Sequence, residues 1–139
     1  MTAVSSRRLD AFDQWCLRRI LRIPYTAHVT NAEVRLRTGQ PAVTGIIRSR
    51  RLRLFGHIAR VDAVEDHARA LRASINRPPP DWRRPKGRPR RTWLRTVEQD
   101  LQRYNLTTSG YILHGSVRDR SIWRQVVESA MPRRGRATS

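Results

Sequence analysis

Between positions 76 and 91 the chain is interrupted by five prolines and a glycine: Pro78, Pro79, Pro80, Pro85, Gly87 and Pro89. Proline fixes φ and withholds a backbone N–H, so no regular helix or central strand passes through such a stretch. Whatever folds must fold on either side of it. Residues 76–81 read as a polyproline spacer, and residues 83–91 as an extended, kinked strap. Six of the nine residues in that strap are basic (Arg83, Arg84, Lys86, Arg88, Arg90 and Arg91) and none is acidic. At Thr92 the pattern turns helical, with Trp93, Val97, Leu101 and Tyr104 at helical spacing. The expected organisation is an N-terminal helical half (1–75), a Pro-rich basic connector (76–92), a C-terminal helical half (93–131) and a basic tail (132–139).

The spacing of apolar residues predicts a helix over 6–23, with Leu9, Phe12, Cys16, Ile20 and Ile23 on one inward stripe and Pro24 as its stop. Cys16 falls within that stripe and reads as an inert buried thiol. Trp15 lies off it, as a cover for a neighbouring element or, less favoured, as a stacking platform for a base. Thr30 and Glu33 have capping-box spacing and open a short helix to Thr38, which Gly39 ends. A third helix is expected over 42–61. Val43, Ile47, Leu54, Ile58 and Val61 form its stripe, broadened by Leu52, Phe55 and Ala59. Arg51 intrudes on that stripe and is expected to snorkel to solvent. Asp62 and Glu65 cap a fourth helix ending near Ser74. Residues 92–104 and a segment capped by Ser116 and Asp119 supply the last two, the final one with Ile122, Trp123, Val126, Val127 and Ala130 inward and Pro132 as its stop. Trp93 and Trp123 are assigned to core. No run alternates cleanly at two-residue spacing, so the expected class is all-α, a small irregular helical assembly.

Charge narrows the range of partners. Lys and Arg number 29 against 11 Asp and Glu, a formal net charge of +18. Repulsion on that scale disfavours an isolated compact state and favours a polyanionic partner. All but Lys86 of these cations are arginines, which suit bidentate phosphate contacts and stacking on bases. On the third helix Arg50, Arg53, His57 and Arg60 recur as a ridge, and no acid stands between Glu33 and Asp62 to pair with it. A ridge of one sign is suited to tracking a phosphate backbone.

Catalytic chemistry has no foothold in the sequence. Polymerases and nucleases need carboxylates converging on Mg²⁺, whereas the acids here fall mostly at helix caps or first turns. There is no Gly-rich phosphate loop and no nucleophile–base pair at recognisable spacing. A single cysteine and scattered histidines predict no disulfide and no metal site. No cofactor, small-molecule substrate or membrane span is expected, and the expected compartment is nucleus or cytoplasm. Lys86-Gly87-Arg88-Pro89-Arg90 is similar to the core of an AT-hook, which lies in a narrow minor groove. The favoured alternative is a basic connector whose glycine and prolines shape a turn.

An ordered set of segments carries a wider resemblance. It runs through Arg7-Arg8-Leu9-Asp10-Ala11-Phe12, Cys16-Leu17-Arg18-Arg19-Ile20-Leu21, Thr30-Asn31-Ala32-Glu33-Val34 and Arg51-Leu52-Arg53-Leu54-Phe55-Gly56-His57-Ile58-Ala59-Arg60. It continues with Gly87-Arg88-Pro89-Arg90-Arg91-Thr92-Trp93 and Asp119-Arg120-Ser121-Ile122-Trp123-Arg124. In this order they resemble the region after the polymerase core in reverse transcriptases of non-LTR (LINE-type) retrotransposons. That resemblance implies a C-terminal, nucleic-acid-holding piece of a larger polymerase. The family's endonuclease and its fingers-palm-thumb domain lie upstream of the matching region, and the paired palm aspartates have no counterpart here.

The sequence therefore predicts a segment that binds RNA or DNA through phosphates without catalysing anything, using Arg50, Arg53, Arg60, Arg83, Arg84, Lys86, Arg88, Arg90 and Arg91. Two alternatives stay open. One is an interaction module docking on an upstream reverse transcriptase domain, and the other is a truncated relic without a role.

Overall fold

A computed structural model describes residues 2–76, 80–83, 86–87, 92–108 and 119–130. The protein is all-α, with no strand among the described residues. Its helices are α1 (Ala3–Ile20), α2 (Asn31–Thr38), α3 (Val43–Arg60), α4 (Asp66–Ile75), α5 (Trp93–Gln102) and α6 (Arg120–Ser129), with a 3₁₀ turn at Tyr25–Ala27. They group into two compact units, one of Met1–Arg50 with Glu128–Ser139 and one of Arg51–Val127. Ser116, Pro132 and most of the expected tail and connector lie outside the described residues.

In the first unit, α1 starts earlier than the apolar spacing predicts because the Thr2 hydroxyl accepts the Ser5 N–H at 3.1 Å and caps it. It also stops earlier, before Pro24. The Ile23 N–H bonds to the Arg18 carbonyl at 3.0 Å and the Arg22 N–H to the Arg19 carbonyl at 3.1 Å, with Arg22 at φ 52°. This is a Schellman ending with arginine where glycine is usual. A side chain in that left-handed conformation costs about 1 kcal/mol. Arg22→Gly is accordingly expected to raise stability by about 1 kcal/mol. Urea unfolding checks this, and a lower midpoint would mean that the arginine side chain contributes more than the strain costs.

The buried face of α1 is not the expected stripe. Phe12 is 63% and Ile20 73% exposed, Leu9 is exposed as well, and Cys16 is only half-buried. Gln14 and Leu17 are buried instead. Polar links decide the orientation. The Asp10 carboxylate accepts from the Thr44 N–H at 3.2 Å and its hydroxyl at 2.8 Å. Asp13 pairs with Arg35 at 3.0 Å. Arg18 Nη2 donates to the Val29 carbonyl at 2.6 Å and to Asn31 Oδ1 at 2.9 Å. Each link reaches α2, its lead-in or the first turn of α3, so this polar face turns inward with Leu17 and the apolar stripe is left to solvent.

α2 follows its expected bounds, with Gly39 in the left-handed conformation at φ 63°. Only half of the capping box forms. Thr30 accepts the Glu33 N–H at 3.2 Å, but the Glu33 carboxylate turns to Arg37 at 2.7 Å instead of returning to the cap. The charge-assisted i,i+4 pair competes successfully for it.

The second unit has its core around α3. Leu52 and Phe55 are fully buried, together with Val97 and Leu101 of α5, while Leu54 is 50% exposed. The residues expected only to broaden the stripe are thus its centre. Phe55 lies 5.8 Å from Trp123 of α6 and 6.3 Å from Trp93 of α5, ring to ring. Trp123 is 3% exposed, a core residue as expected, whereas Trp93 at 38% forms the edge of that cluster. Ala68 and Leu71 bury one face of α4.

Side-chain caps fix both ends of the core. Thr92 accepts the Arg95 N–H at 3.2 Å to open α5. Asp119 accepts from the Ser121 N–H at 2.8 Å and from the Ile122 N–H at 3.3 Å to open α6. The Ser121 hydroxyl and then these amides hold the Asp119 carboxyl below its ordinary pKa. The cap is therefore complete above the ordinary carboxylate pKa and is lost as pH falls through the lowered one.

Arg51 departs from its expected role. It does not snorkel but pairs with Asp100 of α5 at 3.2 Å, with side-chain exposures of 12% and 13%. A buried cation needs a partner more than it needs solvent, and α5 brings one.

Candidate nucleic-acid interface

The cationic surface is defined by what the carboxylates already do. Asp10 is bonded to Thr44, Asp13 to Arg35, Glu33 to Arg37, Asp66 to Arg69 and Asp100 to Arg51. Glu98 accepts from Thr108 at 2.9 Å, and Asp119 caps α6. The acids of this chain are largely occupied inside their own units. That leaves few to neutralise the outward arginines.

On α3, Arg50, Arg53 and His57 are exposed, as helical recurrence places them away from the buried Leu52 and Phe55. Arg60 is half-buried. Its guanidinium pKa is lowered first by burial and then by the neighbouring charge of Arg120 on α6. The fold thus brings a second cation toward the end of the ridge, which sequence spacing alone does not reveal. A bound phosphate would relieve that like-charge repulsion.

Of the strap, Arg83, Lys86 and Gly87 are exposed, and Gly87 has φ 129°, a conformation that side chains rarely adopt. This glycine is needed where it stands. Arg84, Arg88, Arg90 and Arg91 lie outside the described residues.

The histidines scattered in sequence are not all scattered in space. His57 of α3 and His67 of α4 have parallel rings with centroids 6.5 Å apart. Among the described residues no group of three or more His, Cys, Asp or Glu side chains is placed to hold a metal ion. No helix described is long and apolar enough to cross a membrane. Trp15 is 55% exposed, stacked on Phe12 at 6.0 Å and lying under the Arg19 guanidinium at 5.3 Å. Comparison with family models, with curated proteins and with solved structures finds no match to this chain.

Proposed function

We propose that the protein holds RNA or DNA by phosphate contacts, without catalysis of its own, as the C-terminal segment of a non-LTR retrotransposon reverse transcriptase. The polymerase assignment rests on the ordered sequence motifs. The binding assignment rests on one observation. Carboxylates are engaged within the fold, while Arg50, Arg53, Arg83 and Lys86 stand exposed with no carboxylate partner among the described residues. The strap residues Arg84, Arg88, Arg90 and Arg91 belong to the same proposed surface on sequence alone.

Neutralising about six phosphates gives a slope near −5 for log affinity against log salt. Arg50→Gln and Arg53→Gln are each expected to reduce the magnitude of that slope by about 0.9. Fluorescence anisotropy across a salt series measures both. No binding at low salt, or a slope near zero, would overturn the reading.

A second reading, docking on an upstream polymerase domain, is favoured by the solvent-facing apolar stripe of α1, where Phe12 is 63% and Ile20 73% exposed. Circular dichroism separates the two. Helix gained on adding RNA supports nucleic-acid binding, whereas helix gained only with the upstream domain supports docking.

A further inference from the structure

The first unit contains an open groove of about 540 Å³ beside α1. That volume lies within the range of about 300–1,000 Å³ usual for small-ligand sites. Trp15, Tyr25 and His28 are its aromatic lining residues, and Gln14, Arg18 and Asn31 are polar ones. Tyr25 is 100% and Trp15 55% exposed, so neither ring is needed to build the core. The two bonds from Arg18 to Val29 and Asn31, at 2.6 and 2.9 Å, tie the segment leading into α2 to α1 and so pre-form the groove.

One buried group in the lining is incompletely satisfied. Gln14 is 5% exposed and donates through Nε2 to the Asn31 carbonyl at 3.3 Å, yet its Oε1 meets no donor among the described residues. A buried acceptor left in that state is unfavourable. An N–H on the edge of a bound ring would satisfy it. Arg19 and Arg22, both exposed, adjoin the lining residues Arg18 and Ile23 in the chain.

We infer that this groove receives an unpaired nucleobase of a single-stranded RNA or DNA, stacked on Trp15 in place of the Arg19 guanidinium that lies over that ring, beside Tyr25, with flanking phosphates held by the displaced Arg19 and by Arg22. The inference rests on the phosphate-binding reading above and adds to it a preference for single strands. Aromatic platforms take any base, because every base has a π-face, and a duplex keeps its bases out of reach. The site therefore discriminates strandedness rather than sequence. Both sugars fit this chemistry, so oligouridylate and oligothymidylate serve as parallel probes.

The test compares labelled oligouridylate, oligothymidylate, a duplex of equal length and inorganic polyphosphate, a polyanion without bases. Trp15→Ala and Tyr25→Ala are each expected to weaken single-strand binding about ten-fold or more. Duplex and polyphosphate affinities should stay nearly unchanged, as should the salt slope. Trp15→Phe keeps a stacking ring and should retain most of the affinity. Both side chains are exposed, and unchanged thermal melts would verify that the variants fold. Equal losses on all four probes, or no loss on any, would overturn the groove while leaving the phosphate reading in place. Absence of binding to every probe at low salt would overturn both.

Discussion

Replacing Asp100 by alanine is expected to destabilise the second unit by about 3–5 kcal/mol, more than any surface charge change in the protein. The reason is Arg51. Its guanidinium sits 3.2 Å from the Asp100 carboxylate, and both side chains are nearly buried. Removing the carboxylate leaves the Arg51 side chain, only 12% exposed, as a largely desolvated cation without this partner. The cost is that of an uncompensated charge, not of one hydrogen bond. Exposed pairs such as Arg37 with Glu33 are worth about 1 kcal/mol or less. Chemical unfolding should therefore separate Asp100→Ala from Glu33→Ala by several-fold in effect.

The companion double variant tests the cause. Arg51→Met with Asp100→Leu removes both charges and keeps apolar volume, so it is expected to lie within about 1 kcal/mol of the parent or above it. If it is as unstable as Asp100→Ala alone, the pair provides specific geometry that apolar packing does not replace.

That pair also marks the limit of reading this chain as a pattern. Hydrophobic period and cap chemistry are local, and they located α2 and α5 closely, down to Thr30, Gly39 and Thr92 as the boundary residues. They also make the class all-α. Which face of a helix turns inward depends on partners distant in sequence. For α1 those partners are polar: Thr44 for Asp10, Arg35 for Asp13 and Asn31 for Gln14. A stripe of Leu9, Phe12 and Ile20 has no means of competing with those links from sequence spacing alone. Arg51 illustrates the same limit in the core, since its partner is forty-nine positions away on α5.

The candidate site divides along similar lines. The exposure of Arg50 and Arg53 follows from helical recurrence opposite Leu52 and Phe55, so it was legible. The approach of Arg120 to Arg60 and of His67 to His57 depends on how α6 and α4 pack on α3, and no spacing announces it. The groove beside Trp15 depends on the Schellman ending at Arg22 and on the turn that follows. A tryptophan among arginines is the only signal of it in the sequence, and that signal favours a cover for a neighbouring element over a stacking platform.

Trp123→Ala is expected to cost about 3–5 kcal/mol, because it removes a ring that is 3% exposed and packed on Phe55. Its interest lies in the residue it faces. A Cβ built on Gly56 of α3 would stand 2.0 Å from Trp123 Nε1, 2.5 Å from Cε2 and 2.6 Å from Cδ1. All three are far inside van der Waals contact, and a buried indole is a rigid plane with nowhere to swing. Two effects oppose one another in Gly56→Ala. Alanine gains about 0.5–1 kcal/mol over glycine in a helix interior. Overpacking typically costs about 1–3 kcal/mol, and clashes this short belong at the upper end of that range. Packing wins, so the substitution should destabilise the parent protein by about 2 kcal/mol. In the Trp123→Ala background the obstructing ring is gone. There Gly56→Ala is expected to stabilise, by the helix gain of about 0.5–1 kcal/mol. The reversal of sign is the diagnostic, since two residues that do not touch would give the same increment in both backgrounds. Four unfolding curves, for the parent, each single variant and the double, decide it. An unchanged increment would mean that α3 and α6 do not approach each other through this glycine.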